Sequence, residues 1–503
     1  MPKLMSLARR GLPALALASM MALPAAASEI RIGLQEDPDI LDPHEARTFV
    51  GRIVFNALCD KLIDTDEKLE FVPRLATSWT VSDGGKTVTF KLRAGAKFHD
   101  GTPFDAAAVK ANIERAQTSK TSRRKSEVKS VTAVEVIDPT TVAFKLSAPD
   151  APLLAQLSDR AGMMLSPASF DKPVGAHPIC SGPYKFVERV QNDRIVLERF
   201  ADHWEKEKYS FDKVTFRIIP DSTVRLANLR SGQLDMLERL AASDVKGAKA
   251  DSALKVVSVV GLGYQGISIN IANGPRADTP LGKDKRVRQA LSLAIDREAL
   301  NQVVFEGLFE PTIQPFPSSS PYYDKGFPPP KRDIAKAKAL LKEAGLDKFS
   351  FEMQVANSPV DQQVAQVIQA MVAEAGIDIK LRSSEFATML KSQTAGDFQA
   401  TRVGWSGRVD PDGNLHQFVT TGGGINDTKF SNPIVDKELN ASRLVYDVPS
   451  RKAHFDAAAK VLREELPLVY LYLPAWIWAV SAKVDGFVPN PDGMIRLAGV
   501  KMK

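Results

Sequence analysis

Gly261-Leu-Gly263-Tyr-Gln-Gly266 has the spacing of a dinucleotide-binding glycine loop, and the apolar run Val256–Val260 before it reads as the strand such a loop needs. The residues that follow, Ile267-Ser-Ile-Asn-Ile271, read as a second strand and not as a helix. Without a helix N-terminus there is no row of free N–H groups for a pyrophosphate, so these glycines are expected to serve a crossing strand. Gly404-Trp405-Ser406-Gly407-Arg408 comes near a serine nucleophile elbow but has the wrong spacing. No HExxH and no phosphate loop occurs. The six histidines, His44, His99, His177, His203, His416 and His454, never stand at metal-ligand spacing. His416 alone lies beside a loop of interest, where a ligand role is set against that of a hydrogen-bonded structural imidazole. With 60 Asp and Glu in the chain, any proposed acid–base pair would be arbitrary. The residues therefore call for no catalytic set, no metal and no cofactor.

The ends and the composition place the chain. Met1–Arg10 carries Lys3, Arg9 and Arg10 and no acid, Gly11–Leu23 is largely apolar, and Pro24 with Ala25-Ala26-Ala27 supplies a break and small residues. That is the pattern of a signal peptide, 1–27, cleaved after Ala27. The surroundings of Arg9-Arg10 fit twin-arginine export poorly, and no cysteine follows the site for a lipid anchor. Removing the leader lowers the formal charge from +6 to +3 over 476 residues, which with the lack of a basic arm argues against nucleic acid. No other apolar run reaches membrane-spanning length. An exported chain of this size should hold two to four domains. Its two cysteines, Cys59 and Cys180, are then more readily bridged than free.

The elements follow from periodicity and breakers. Glu29–Leu34 alternates as a strand. Trp79 and Val81, the turn Asp83-Gly84-Gly85, then Val88, Phe90 and Leu92 predict a hairpin. A second hairpin is predicted from Val134 and Val136 through Asp138-Pro139 to Val142, Phe144 and Leu146. Between them a helix over Ala106–Ala116 starts after Asp105. Val214, Phe216 and Ile218, a helix begun by Asp221 or Ser222 and ended by Gly232, then Leu234–Met236 predict a β-α-β unit. In the second half, a helix from Asp333 to Ala344, a strand at Phe351, Met353 and Val355, a helix ended by Gly376 and a strand at Ile377, Ile379 and Leu381 predict α/β structure with a parallel crossover.

Several stretches, in order, resemble periplasmic solute-binding protein family 5, the dipeptide, oligopeptide, nickel and opine-type receptors of ABC importers. They are Asp42-Pro43, Phe71–Trp79, Ser82–Arg93, Phe98–Phe104, Ser181-Gly-Pro-Tyr184, Leu229–Asp235 and Arg286–Arg297. The resemblance implies an α/β, two-lobed periplasmic-binding-protein fold with two crossing hinge strands and an extra β-rich subdomain inserted in the first lobe. It implies lobe I from 28–59, 181–265 and 475–503, the inserted subdomain from 60–180 and lobe II from 266–474. It further implies a monomer that captures a peptide or peptide-sized solute by hinge closure and hands it to an inner-membrane permease with its ATPase. A secreted hydrolase or a chaperone-like peptide binder is the alternative; turnover, or binding of many unfolded chains, would distinguish them.

On that layout Cys59 and Cys180 sit where the chain leaves and re-enters lobe I, so a bridge is expected. Peptide receptors of the family carry Gly-Trp-x-x-Asp, whose aspartate meets the peptide ammonium. Here Arg408 stands at that position, and Asp361-Gln362-Gln363-Val364 lacks the arginine that would meet a dipeptide carboxylate. The resemblance thus points to Tyr264, Trp405, Ser406, Gly407 and Arg408 as ligand-binding residues, with Arg408 facing an anionic group such as that of an opine or acidic peptide derivative. The competing expectation is that Arg408 pairs with Asp410 or Asp412 of its own loop.

Overall fold

The structure is a computed structural model and describes residues 28–503; the expected leader 1–27 and its cleavage after Ala27 lie outside the described residues. Three sheets organise it. The first lobe holds a seven-stranded sheet centred on Glu29–Leu34, which runs parallel to Lys213–Ile218 on one side and to Met236–Leu237 on the other. The helix between those two flanking strands, Ser222–Arg230, begins where Asp221 accepts from the Val224 N–H and ends before Gly232, whose φ is +75°. This is the predicted β-α-β unit, with glycine in the left-handed conformation that stops a helix cleanly.

The inserted subdomain is a four-stranded antiparallel sheet, ordered Ala76–Ser82, Thr87–Leu92, Thr141–Leu146 and Val131–Asp138. Both predicted hairpins are present. Their inward faces bury Phe90 and Phe144 against the helix Ala106–Thr118, which Asp105 caps through the Ala108 N–H. The second lobe holds a six-stranded sheet in which Phe349–Ala356 and Ile377–Ser384 are parallel and joined by the helix Pro359–Ala373. Tyr264–Ile269 lies in that sheet between Leu468–Leu473 and Ala400–Trp405, antiparallel to both. No helix among the described residues is long and apolar enough to cross a membrane.

The chain passes between the two large sheets twice, from Leu254–Val260 into Tyr264–Ile269 and from Leu468–Leu473 into Ala475–Ser481. The passages touch, with the Gly261 N–H donating to the Pro474 carbonyl at 3.1 Å. This contact explains the glycine spacing. A Cβ on Gly261 would come within 2.7 Å of Pro474 O, one on Gly263 within 1.8 Å of Trp405 O, and one on Gly266 within 2.7 Å of Val469 O. Backbone crowding at the hinge, and no phosphate, requires them.

At the neck of the inserted subdomain Cys59 and Cys180 form a disulfide with Cα atoms 4.9 Å apart. Two histidines near this neck, His44 fully buried and His99 half-buried, are held as neutral imidazoles. Arg115 donates to His44 Nδ1 at 2.9 Å. The Cys180 N–H donates to His99 Nδ1 at 3.3 Å, leaving His99 Nε2 to donate to Gly182 O at 3.0 Å. Protonating either Nδ1 would sever a bond and bury a charge, and burial pushes both imidazoles down to about 4. Because the folded values lie below the ordinary one, unfolding takes up protons in acid. Stability from these groups is complete above about pH 6.5 and lost as the pH falls toward about 4. Urea midpoints should therefore decline across that window; a flat profile would contradict the assignment.

Candidate functional site

Where the two main sheets and the inserted subdomain meet, they enclose a cavity of about 210 Å³. At roughly 10–15 Å³ per water position, that is room for on the order of ten to twenty waters. One side of its wall is aromatic. Phe49 stacks on Trp476 with centroids 4.3 Å apart, and Phe305, Phe309 and Tyr472 pack together as a second group. Tyr264 and Trp405 are register partners on neighbouring strands, both on the wall. The Tyr264 hydroxyl and Trp405 Nε1 are buried without a hydrogen-bond partner among the described residues, and burial raises the Tyr264 phenol far above its ordinary value. Of the family-implied site residues, Ser406 also reaches the wall.

Gly407 does not line the cavity. Its φ is +85°, and a Cβ there would come within 2.3 Å of the Leu262 backbone carbon, so it serves the close passage of the hinge. Arg408 stands behind the wall, stacked over the Trp405 ring at 4.1 Å, with Nη1 donating to Gly407 O at 2.7 Å. Its ion-pair partner is Asp159 of the inserted subdomain. The expected pairing with Asp410 or Asp412 is thus corrected: Arg451 takes Asp410 and Arg443 takes Asp412, each at 2.7 Å. Those carboxylates sit beside helix-borne arginines of their own lobe, whereas Arg408 points across the cleft. Asp159 also receives Arg52 Nε at 3.0 Å, and Arg52 donates on to Ser406 Oγ at 3.2 Å. Burial alone would raise the Asp159 carboxyl, but Arg408 and Arg52 outweigh it and hold the group well below the usual range. His416 is buried against Asn440 Oδ1 at 3.1 Å and does not line the cavity.

The sequence reading missed most of the charged wall. Five arginines, Arg47, Arg124, Arg160, Arg239 and Arg402, face three carboxylates, Glu36, Asp361 and Asp427. Arg402, on the strand that leads to Trp405, is held by Asp361 and the Tyr472 hydroxyl. Arg239 bridges Glu36 at 2.9 Å and Glu238 at 2.6 Å. Arg47 of lobe I pairs with Asp427 of lobe II at 2.6 Å, tying the rim shut. Arg402 had a signal: a charge in the middle of a short strand with no other charged residue. The others lie in loops or at helix ends, where no periodicity marks them.

The comparisons agree with this architecture. Residues 70–426 match the family described as bacterial extracellular solute-binding proteins, family 5 middle. The glutathione-binding protein GsiB of Pectobacterium atrosepticum is 30% identical over 506 residues, spanning 97% of this chain and 97% of that protein. The periplasmic binding protein AgaA of A. tumefaciens R10, solved with agropinic acid, superposes with a TM-score of 0.85 at 27% identity, over 94% of this chain and 99% of that one. The Helicobacter pylori protein DppA, solved with the peptide STSA, superposes at 0.87 and 25% identity, over 95% and 98%. Two lobes joined by two crossing strands around an enclosed polar–aromatic cavity, with a family match across most of the sequence, make this chain a member of the bacterial extracellular solute-binding proteins, family 5.

Proposed function

We propose that the chain is the periplasmic receptor of an ABC importer for an anionic solute of small-peptide size, exported by its leader and cleaved after Ala27. The observation that carries this reading is the cavity wall, where five arginines outnumber three carboxylates around a space of about 210 Å³. Tyr264 and Trp405 flank the ligand, Ser406 offers a hydroxyl, and Arg408 acts from behind Ser406. The relatives support the class: glutathione, in the name of one, is a small peptide with two carboxylates, and agropinic acid, in the structure of another, is an acid. Binding here requires closure and no covalent step, and delivery falls to a separate permease and ATPase.

Native mass spectrometry of the protein from cell envelopes should show a chain starting at Ser28 with one anionic small molecule bound. Calorimetry with glutathione, agropinic acid and a neutral dipeptide should then show one-to-one, saturable binding that favours an acidic member, with contraction in solution scattering and no product formed. Tightest binding of the neutral dipeptide, or conversion of any ligand, would sink the reading.

A further inference from the structure

Charge is not spread evenly along this cavity. Where the two main sheets form its floor, the buried ionic groups balance. Arg225, Arg239 and Arg402 stand there with Glu36, Glu238 and Asp361. At the end covered by the inserted subdomain they do not. Arg52, Arg124, Arg160 and Arg408 are 4%, 1%, 1% and 8% exposed, and of the described carboxylates only Asp159 and Glu127 stand among them. Asp159 is shared by Arg52 and Arg408, and Glu127 is taken by Arg124. Arg160 has no carboxylate partner among the described residues; its Nη1 donates to Ala46 O at 2.6 Å. Of the groups around the cluster, Lys61 and Arg496 stand against Asp64 and Asp492, Arg115 against Asp42, and Arg47 and Arg123 against Asp427 and Asp39, while burial pushes the His44 imidazole down. Four guanidiniums thus share two carboxylates in the interior.

The same cluster holds buried donors with nothing to bond. Arg124 Nε, Arg160 Nε, Arg408 Nη2, Trp405 Nε1 and the Tyr264 hydroxyl lack partners among the described residues. Arg124, Arg160, Trp405 and Tyr264 line the cavity, and Ser406, also on its wall, receives both Arg52 at 3.2 Å and Arg408 at 3.4 Å. Unsatisfied buried donors and unbalanced buried charge are both unfavourable, and their coincidence at a cavity wall marks a place where a ligand completes the set. Burial and the repulsion of Arg124 push the Arg160 guanidinium down to about 9, the direction expected of a cation short of counter-charge.

We infer that this end of the cavity is an oxyanion subsite, in which Arg124 and Arg160 contact a doubly charged phosphate or phosphonate group of the ligand while Arg52 and Arg408 support it through Ser406. The inference rests on the anionic-solute reading and adds the ligand's charge and direction. The oxyanion points toward the inserted subdomain, and the rest of the molecule lies between Phe49, Trp476 and Tyr472. A phosphate fits better than one carboxylate on two grounds. It carries up to two charges against the local excess of two, and it offers three strong acceptor oxygens to the unpartnered donors.

The test uses the mature protein, with inorganic phosphate and acetate as probes at equal ionic strength. Phosphate should bind the wild type saturably and at least about 10-fold tighter than acetate, because it satisfies more charge-assisted donors. Arg160→Met should weaken phosphate roughly 10- to 100-fold, yet leave the melting temperature of the unliganded protein unchanged or raised, since it removes an uncompensated buried charge. Arg160→Lys should keep a measurable part of the binding. A purely structural arginine predicts the reverse, a lower melting temperature in Arg160→Met with phosphate affinity unchanged, and that result overturns the subsite. Acetate binding the wild type as well as phosphate would overturn it too, even if Arg160→Met did not fold. If a co-purifying anionic ligand binds Arg160→Met as tightly as wild type, the subsite fails while the receptor reading stands. Preference of the wild type for a neutral dipeptide would remove both.

Discussion

Asp159→Asn is expected to destabilise the unliganded protein by about 3–5 kcal/mol, the usual cost of removing one partner from a buried ion pair. Asp159 is the counter-ion of both Arg52 and Arg408, and all three side chains are less than a tenth exposed. Asparagine keeps the shape and one acceptor but leaves two buried guanidiniums facing each other. The loss has a second consequence, because Arg408 belongs to the second lobe and Asp159 to the inserted subdomain of the first. Their pair, with the Arg47–Asp427 bridge at the rim, is a polar tie across the closed cleft. Asp159→Asn should therefore lower the denaturation midpoint and also widen the molecule in solution scattering. Near-wild-type stability in urea, followed by tryptophan fluorescence, would show that the pair contributes little. Asp159→Asn and Arg160→Met remove opposite charges within one cluster, so opposite shifts in stability are the signature of its positive excess.

Loss of the Cys59–Cys180 bridge should have an effect of similar size. The bridge joins residues 121 apart in sequence and closes the whole inserted subdomain into one loop. The chain-entropy relation assigns such a loop about 5 kcal/mol, through the unfolded chain and not through native contacts. The double substitution Cys59→Ala with Cys180→Ala avoids a lone thiol and keeps the site apolar, since both cysteines are buried in the lobe I core. Its denaturation midpoint should fall well below that of the oxidised wild type, and adding a reductant should change it no further. An unchanged midpoint would mean that the neck is held by its hydrogen bonds alone, among them Gly182 N–H to Leu58 O at 2.8 Å and His99 N–H to Cys180 O at 2.8 Å.

Much of the framework was legible before any coordinates. Alternation in Thr87–Leu92 and Thr141–Leu146 reports strands with one apolar face, which buries Val88, Phe90, Leu92, Val142, Phe144 and Leu146, because side-chain direction in a strand repeats every two residues whatever lies elsewhere. Asp105, Asp221 and Gly232 mark helix ends, since capping needs only neighbouring backbone groups. The absence of a helix after Gly266 excluded a nucleotide loop by the same local logic. All of these signals act over a few residues, which is why a sequence carries them openly.

The charged site is of another kind. Arg47 and Asp427 are 380 residues apart in sequence, and Arg124, Arg160 and Arg402 come from three separate segments. Nothing local tells Arg408 to choose Asp159 over Asp410 or Asp412, which lie a few residues away. The nearer acids are taken by Arg451, on the helix Val448–Glu465, and by Arg443, at the end of the helix Pro433–Ser442. Local pattern set the strands, the caps, the two cysteines and an arginine where the family carries an acid. Tertiary structure alone decided which charges meet, because a Coulomb partner is set by distance through space in a low-dielectric cleft, and that distance exists only once two lobes and an inserted sheet have closed on one another.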